Sequence, residues 1–238
     1  MIANMLFKES SNMSKNIPKV TPLKYRKPTT QKTHNSKNKA HVYQIKITLI
    51  DTEPEIWRRI VVSGNTNLGL LHAIIQIAMG WTNSHLHQFF ADNTFYSDPD
   101  PDNEMEEMED ECNMLLCEIA PEAGASFMYE YDFGDGWNHL IEVEKISNEG
   151  IPHPICLGGA RACPPEDCGG TGGYQDLCEI IQDPEHEEYE SMLEWLNGDF
   201  DPDAFDVPKV NKYLKKLKWD KPNWKQLGKL LMERDEME

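Results

Sequence analysis

The sequence predicts an α+β fold: an antiparallel sheet with an early helix crossing it and a helical C-terminal part. Three observations predict it. Two-residue alternation dominates residues 41–147, and helical periodicity dominates the chain after residue 174. Between two aromatic-rich runs sits a tight-turn signature, Gly134-Asp135-Gly136. Strands first and helices last favour α+β over the alternating pattern of a parallel α/β sheet.

The first strand is VYQIKITLI, with Tyr43, Ile45, Ile47 and Leu49 on one face. DTEP turns the chain into a second strand, EIWRRIVV, and the two form a hairpin. Asn65-Thr66-Asn67 supply N-cap chemistry for LGLLHAIIQIAM, and Gly80 suits the left-handed position after its last turn. Leu68, Leu71, Ile75 and Ala78 share the apolar face, which leaves His72 and Gln76 on a face expected to meet solvent. A third strand is expected near residues 87–91.

Residues 127–133 and 137–143 then form an antiparallel hairpin. A three-residue loop pairs Phe133 with Trp137, Tyr131 with His139, Tyr129 with Ile141 and Phe127 with Val143, placing all eight on one face. The helical part comprises YQDLCEIIQD, a segment opened by Asp183-Pro184 with Tyr189, Met192, Leu193 and Leu196 in step, VPKVNKYLKKLK, and WKQLGKLLME.

The 238 residues suit one sizeable core over residues 41–238, preceded by a tail. Residues 1–40 carry nine basic side chains against Glu9 alone, a net of +8, so −26 of the chain's −18 resides on the remainder. Such a tail, rich in Ser, Asn, Thr, Lys and Pro, is expected to be disordered. So acidic a body repels phosphate backbones and argues against a broad nucleic-acid groove. Residues 98–111 read as an exposed acidic loop without the glycine of a calcium-binding EF-hand. No apolar run reaches membrane-spanning length, and no secretory signal is evident, so a cytoplasmic protein is expected. Six cysteines are too sparse for a disulfide scaffold.

Chemistry-bearing residues gather in four places. His153, Cys156, Cys163 and Cys168 have the spacing H-x2-C-x6-C-x4-C within a Gly- and Pro-rich loop. They are candidate zinc ligands; packing of small thiols and redox use are the alternatives. His85 and His87, two apart, would point the same way on a strand as a metal pair, or else bond backbone carbonyls in a loop. His139 falls on the aromatic face beside Tyr131, where a satisfied, partly buried ring is expected. Asp132 and Asp135 flank the hairpin turn, and Glu166 and Asp167 precede a GGTGG helix start, where carboxylates can meet unsatisfied N–H groups. GGTGG lacks the Lys-Ser/Thr of a phosphate-binding P-loop.

Four ordered blocks carry a resemblance: EIWRRIVV…LLHAIIQIAMGW…SHLHQF, YEYDFGDGWNHLIEVE, CLGGARACPPEDCGGTGGY and DPEHEEYESMLEWLNGDFDPDAFD. Over roughly residues 41–215 the chain resembles the plasmid pRi ORF-3-like family of bacterial and archaeal proteins. The resemblance implies an α+β domain in a family that is essentially uncharacterised. Some members carry a resolvase label, and some are fused to other domains, including a DNA-binding one. It makes His85, His87, Asp132, Asp135, His139, Cys156, Cys163, Glu166 and Asp167 parts of the family pattern, without a transferable catalytic role.

The leading functional expectation is a non-enzymatic interaction module, whose aromatic hairpin face and acidic surface engage a protein partner. The alternative is a zinc-binding protein or metal-dependent enzyme built from the His and Cys clusters. A third reading, an accessory role in DNA transactions, fits poorly with an acidic body lacking a recognisable nucleophile motif.

Overall fold

The structure, a computed structural model, describes residues 41–99, 108–198, 200–217 and 224–235, except the side chains of 224–226 and 234–235. The expected disordered tail, residues 1–40, lies outside the described residues.

Strands β1 (Val42–Leu49) and β2 (Ile56–Ser63) pair antiparallel, as their alternation requires. Helix α1 (Leu68–Met79) follows, its N-cap Asn67 accepting the Leu70 N–H at 2.8 Å. Gly80 ends it at φ +123°, a conformation that favours glycine. Next come β3 (His87–Ala91), β4 (Thr94–Ser97), β5 (Met108–Asp110), a 3-10 turn (Glu111–Asn113) and the short α2 (Leu116–Ile119). The hairpin β6 (Ser126–Tyr131) and β7 (Trp137–Ser147) precedes β8 (Ile155–Ala160). Helices α3 (Gly170–Gln182), α4 (Tyr189–Trp195), α5 (Val207–Leu214) and α6 (Trp224–Asp235) complete the described chain.

The α+β class holds. Eight strands form one sheet in the order β5-β4-β3-β6-β7-β1-β2-β8. It is antiparallel except at one edge, where β5 runs parallel to β4. Along the central strands β1 (from Tyr43 onward), β2, β6 and the first part of β7, buried residues alternate with partly buried or exposed ones. One face therefore packs on the core and the other does not. α1 crosses the packed face: His72 reaches Tyr129 on β6, while the carbonyls of Ala78 and Met79 meet Arg58 on β2.

Two expectations about exposure are corrected. All twelve residues of α1 are buried, His72 and Gln76 included, because these polar groups bond one another's partners rather than water. The Tyr129 hydroxyl meets His72 Nδ1 at 2.8 Å and accepts from Gln76 Nε2 at 3.2 Å. The aromatic hairpin face is core: Tyr129, Tyr131, Trp137 and His139 are fully buried, so that face presents nothing to a partner. The hairpin register also differs by two residues. Tyr131 pairs with Trp137 and Tyr129 with His139, which keeps the face but lengthens the loop to Asp132–Gly136 and expels Phe133 into solvent. Asp132 causes this, since its Oδ1 accepts the Gly134 N–H at 2.9 Å and its carbonyl accepts the Gly136 N–H at 2.6 Å.

The cysteine segment is not wholly loop. Its first residues form β8, an edge strand whose Gly159 lies so close to Phe205 that a Cβ would fall 2.5 Å from the ring. The acidic segment ends inside the protein, with Glu111 fully buried. Among the described residues, no helix is long and apolar enough to cross a membrane.

Candidate metal centre

Three loops meet at the β6–β7 end of the sheet. The segment after α1 brings His85, the hairpin turn brings Asp132, and the segment between β8 and α3 brings Glu166 and Asp167. His85 Nε2 stands 3.2 Å from Asp167 Oδ1, 3.6 Å from Asp132 Oδ2 and 3.8 Å from Glu166 Oε2. Ligand atoms of His85, Asp132 and Asp167 all lie within 4.8 Å of one another, as one group of possible metal ligands among the described residues. Donors about 2.1 Å from a shared ion sit about 3.0–3.4 Å apart in octahedral or tetrahedral geometry, close to these separations.

Glu166 and Asp132 are held from behind. Glu166 Oε1 accepts the Thr82 N–H at 2.7 Å, the Thr82 hydroxyl at 2.8 Å and the Tyr131 hydroxyl at 3.0 Å. Its other oxygen, Oε2, is buried without a hydrogen-bond partner, and so is His85 Nε2. Asp132, whose side chain is 9% exposed, uses Oδ1 for the turn and directs Oδ2 toward His85. Asp135 stays outside the group and ties the turn to the start of α3, its Oδ2 accepting the Gly169 N–H at 3.1 Å. A Cβ on Gly170 (φ +70°) would stand 2.6 Å from the Asp135 carbonyl oxygen, so this close approach requires glycine.

Buried polar atoms left without a hydrogen bond each cost roughly 1–3 kcal/mol. A cation between them removes that cost, and a nitrogen with three carboxylates is the donor set of a first-row divalent ion. On the opposite side Asp167 is 73% exposed, so the group opens to solvent.

Other sequence-predicted residues go elsewhere. His85 belongs to the segment before β3, so strand alternation does not align it with His87. His87 points inward and stacks on His72, ring centroids 3.4 Å apart and planes 8° apart, with Nε2 2.8 Å from Glu111 Oε2. Burial lowers the His87 pKa to about 3 and raises that of Glu111 to about 7. His139 is fully buried, its Nδ1–H reaching the Tyr129 carbonyl at 3.3 Å.

The candidate zinc set does not form a comparable group among the described residues. His153 Nδ1 sits 2.9 Å from its neighbour's carbonyl, that of Pro154. Cys156 is buried on β8, and Cys163 and Cys168 pack against the core. Burial raises the Cys156 thiol and pushes Cys168 up to about 12. Neither Glu166 nor Asp167 caps α3: Glu166 accepts from Thr82 and Tyr131, and Asp167 faces His85. Sequence reasoning passed over Thr82, Tyr131 and Ser84, whose roles arise only from the meeting of distant loops.

A family model described as plasmid pRiA4b ORF-3-like protein matches residues 41–209. The chain is similar to an uncharacterized protein, y4hQ, of Sinorhizobium fredii (strain NBRC 101917 / NGR234), 39% identical over 184 residues, 76% of this chain and 95% of that protein. Among solved structures it is similar to a protein of unknown function, MM3350, from Methanosarcina mazei Go1. There the TM-score is 0.64 and the identity 36%, with 72% of this chain and 98% of the other covered.

Proposed function

We propose that this chain, which belongs to the plasmid pRiA4b ORF-3-like protein family, binds a first-row divalent cation through His85, Asp132, Glu166 and Asp167. The observation that carries this reading is the meeting of His85 Nε2 with three carboxylates at 3.2–3.8 Å, where neither it nor the buried Glu166 Oε2 makes a hydrogen bond. One imidazole and three carboxylates suit Mn2+, Fe2+ or Zn2+ better than a thiophilic ion. Because Asp167 borders solvent, the ion would keep a position for water, the arrangement of a Lewis-acid centre rather than a closed structural site.

The test is titration of chelator-treated full-length protein with Mn2+, following free Mn2+ by electron paramagnetic resonance. One ion per chain is expected, with affinity lowered at least about a hundredfold in His85→Ala and Asp132→Ala. Replacing Cys156, Cys163 and Cys168 with serine should leave the stoichiometry at one. The reading fails if Mn2+, Fe2+ and Zn2+ show no saturable binding, or if the His85→Ala/Asp132→Ala double variant still binds one ion.

A further inference from the structure

The three loops that meet at the cation group carry charge of one sign. Residues 80–86, 132–136 and 161–169 hold Asp132, Asp135, Glu166 and Asp167 against a single Lys or Arg, Arg161. Arg161 is engaged elsewhere, its Nη1 2.6 Å from Asp203 Oδ1. A coordinating imidazole is neutral, so three carboxylates and a divalent ion sum to −1 (−3 plus +2). Asp135, on the same turn as Asp132, takes the neighbourhood to −2.

The positive end of α3 does not reverse that sign. Backbone N–H groups at a helix start ordinarily receive an anion. Here the Asp135 carboxylate holds that place, its Oδ2 accepting the Gly169 N–H at 3.1 Å. A second anion at this helix start would meet one already there.

Phosphate and carboxylate ligands are usually held by Arg or Lys clamps. An anionic ligand on this ion would bring the local sum to −3 or below, beside partly buried carboxylates. A neutral carbonyl oxygen leaves the sum at −2, and ammonium groups on the same molecule offset it. Beyond the site, the −26 carried by residues 41–238 extends the same sign, drawing cations toward the protein and turning anions away. Phe133, next to Asp132 in the turn, is 42% exposed, an aromatic ring of the kind that attracts ammonium and guanidinium groups.

We propose that the ligand of this centre is a basic peptide. Its backbone carbonyl takes the ion's solvent-side position, while its Lys or Arg side chains meet Asp135 and the exposed side of Asp167. A polyamine brings the charge without the oxygen donor that a hard divalent ion prefers; a peptide brings both. This inference rests on the cation site proposed above and adds the class of molecule that reaches it.

Full-length protein carrying one Mn2+ per chain is titrated with acetyl-tetralysine amide, acetyl-tetraglutamate amide and inorganic phosphate, following water-proton relaxation. Displacement of water from Mn2+ lowers the relaxation rate, whereas a peptide bound elsewhere on the acidic body leaves it unchanged. The lysine peptide is expected to lower it, with affinity at least about tenfold above either anion and weakening as salt is raised. Asp135→Asn keeps an oxygen for the Gly169 N–H and removes the charge. It should lower lysine-peptide affinity about threefold to tenfold with one Mn2+ still bound. Phosphate or the glutamate peptide displacing water as readily overturns the inference, as does a relaxation rate that none of the three changes. Failure of the cation site itself shows earlier and separately, as Mn2+ that never saturates the protein before any probe is added, and it takes this inference with it.

Discussion

The Tyr131 hydroxyl donates to Glu166 Oε1 across 3.0 Å while accepting the Ser84 N–H, also at 3.0 Å. A single phenol at the end of β6 thus joins two of the loops that build the cation group. Burial and the Glu166 carboxylate both push its pKa upward, so the proton stays on the phenol and the bond to Glu166 persists across the working range. Orientation of Glu166 is its contribution: with Oε1 occupied, Oε2 faces His85.

Tyr131→Phe should therefore weaken Mn2+ binding about tenfold to a hundredfold, as loss of an outer-shell partner generally does. The ring remains packed against Trp81, whose centroid lies 4.8 Å away, so stability without metal should fall by about 1 kcal/mol. Parallel Mn2+ titration and urea unfolding in chelator separate the two effects. Equal Mn2+ affinity in wild type and variant would remove Tyr131 from the site.

Asp132 has two separable duties. Its backbone sits at φ +56°, and its Oδ1 accepts the Gly134 N–H. Asparagine tolerates this conformation and keeps an acceptor oxygen, whereas alanine does neither. Asp132→Asn should leave the melting temperature of the metal-free protein near wild type while lowering cation affinity at least tenfold. Asp132→Ala should lose affinity and also about 1–2 kcal/mol of stability. Differential scanning fluorimetry with and without Mn2+ reads both, and an unstable Asp132→Asn would show that the charge itself serves the turn.

Legibility in the sequence followed local periodicity and ended where distant segments meet. β1, β2, β6 and β7 were readable because one buried face imposes alternation, and Asn67 and Gly80 bound α1 as their chemistry requires. The hairpin loop was misjudged because Asp132 leaves the strand to close a turn with its own side chain. His72 looked like a surface residue because its partners, Tyr129 and Asn83, are remote or lie in a loop. β8 was hidden by Gly158 and Gly159, and the need for an absent side chain becomes visible only at Gly159, beneath Phe205. His85, Asp132, Glu166 and Asp167 each stood out singly. Their convergence spans residues 85 to 167 and follows no period, while the nearby cysteines offered a tidier spacing and no common centre.

Arg58 is fully buried, and the groups its guanidinium bonds are backbone carbonyls. Its guanidinium donates to the carbonyls of Ala78 at 2.8 Å, Trp57 at 2.9 Å, Ala160 at 2.9 Å and Met79 at 3.4 Å, and lies 4.0 Å from the Phe205 ring centroid. The charge thus rests on the negative end of α1 and clamps it to β2 and β8. Burial lowers its pKa to about 10, which leaves it charged at neutral pH. Arg58→Met keeps the stem but strands those carbonyls. Destabilisation of about 3 kcal/mol is expected, a fall in Tm of roughly 6–12 °C. A change in Tm of under a degree would mean that water replaces the guanidinium without loss.

His139 makes the stability depend on acid. Burial lowers its pKa to about 3 against partial support from the backbone at Tyr129 and Trp137, and the Arg58 charge adds a smaller lowering. In the unfolded chain the ring titrates near 6.5. A lowered folded value means its contribution is complete above about pH 6.5 and is lost as pH falls toward 3. Between pH 7 and pH 5 that loss is about 2 kcal/mol from His139 alone. Glu111 runs the other way: its raised value favours the folded state as pH falls from about 7. Glutamine cannot take up the proton, so His139→Gln should flatten the decline in unfolding free energy by about 2 kcal/mol between these pH values, whatever its effect at pH 7. Urea unfolding at several pH values measures the slope, and equal slopes for variant and wild type would show that His139 carries its proton in the folded protein as it does in the unfolded one.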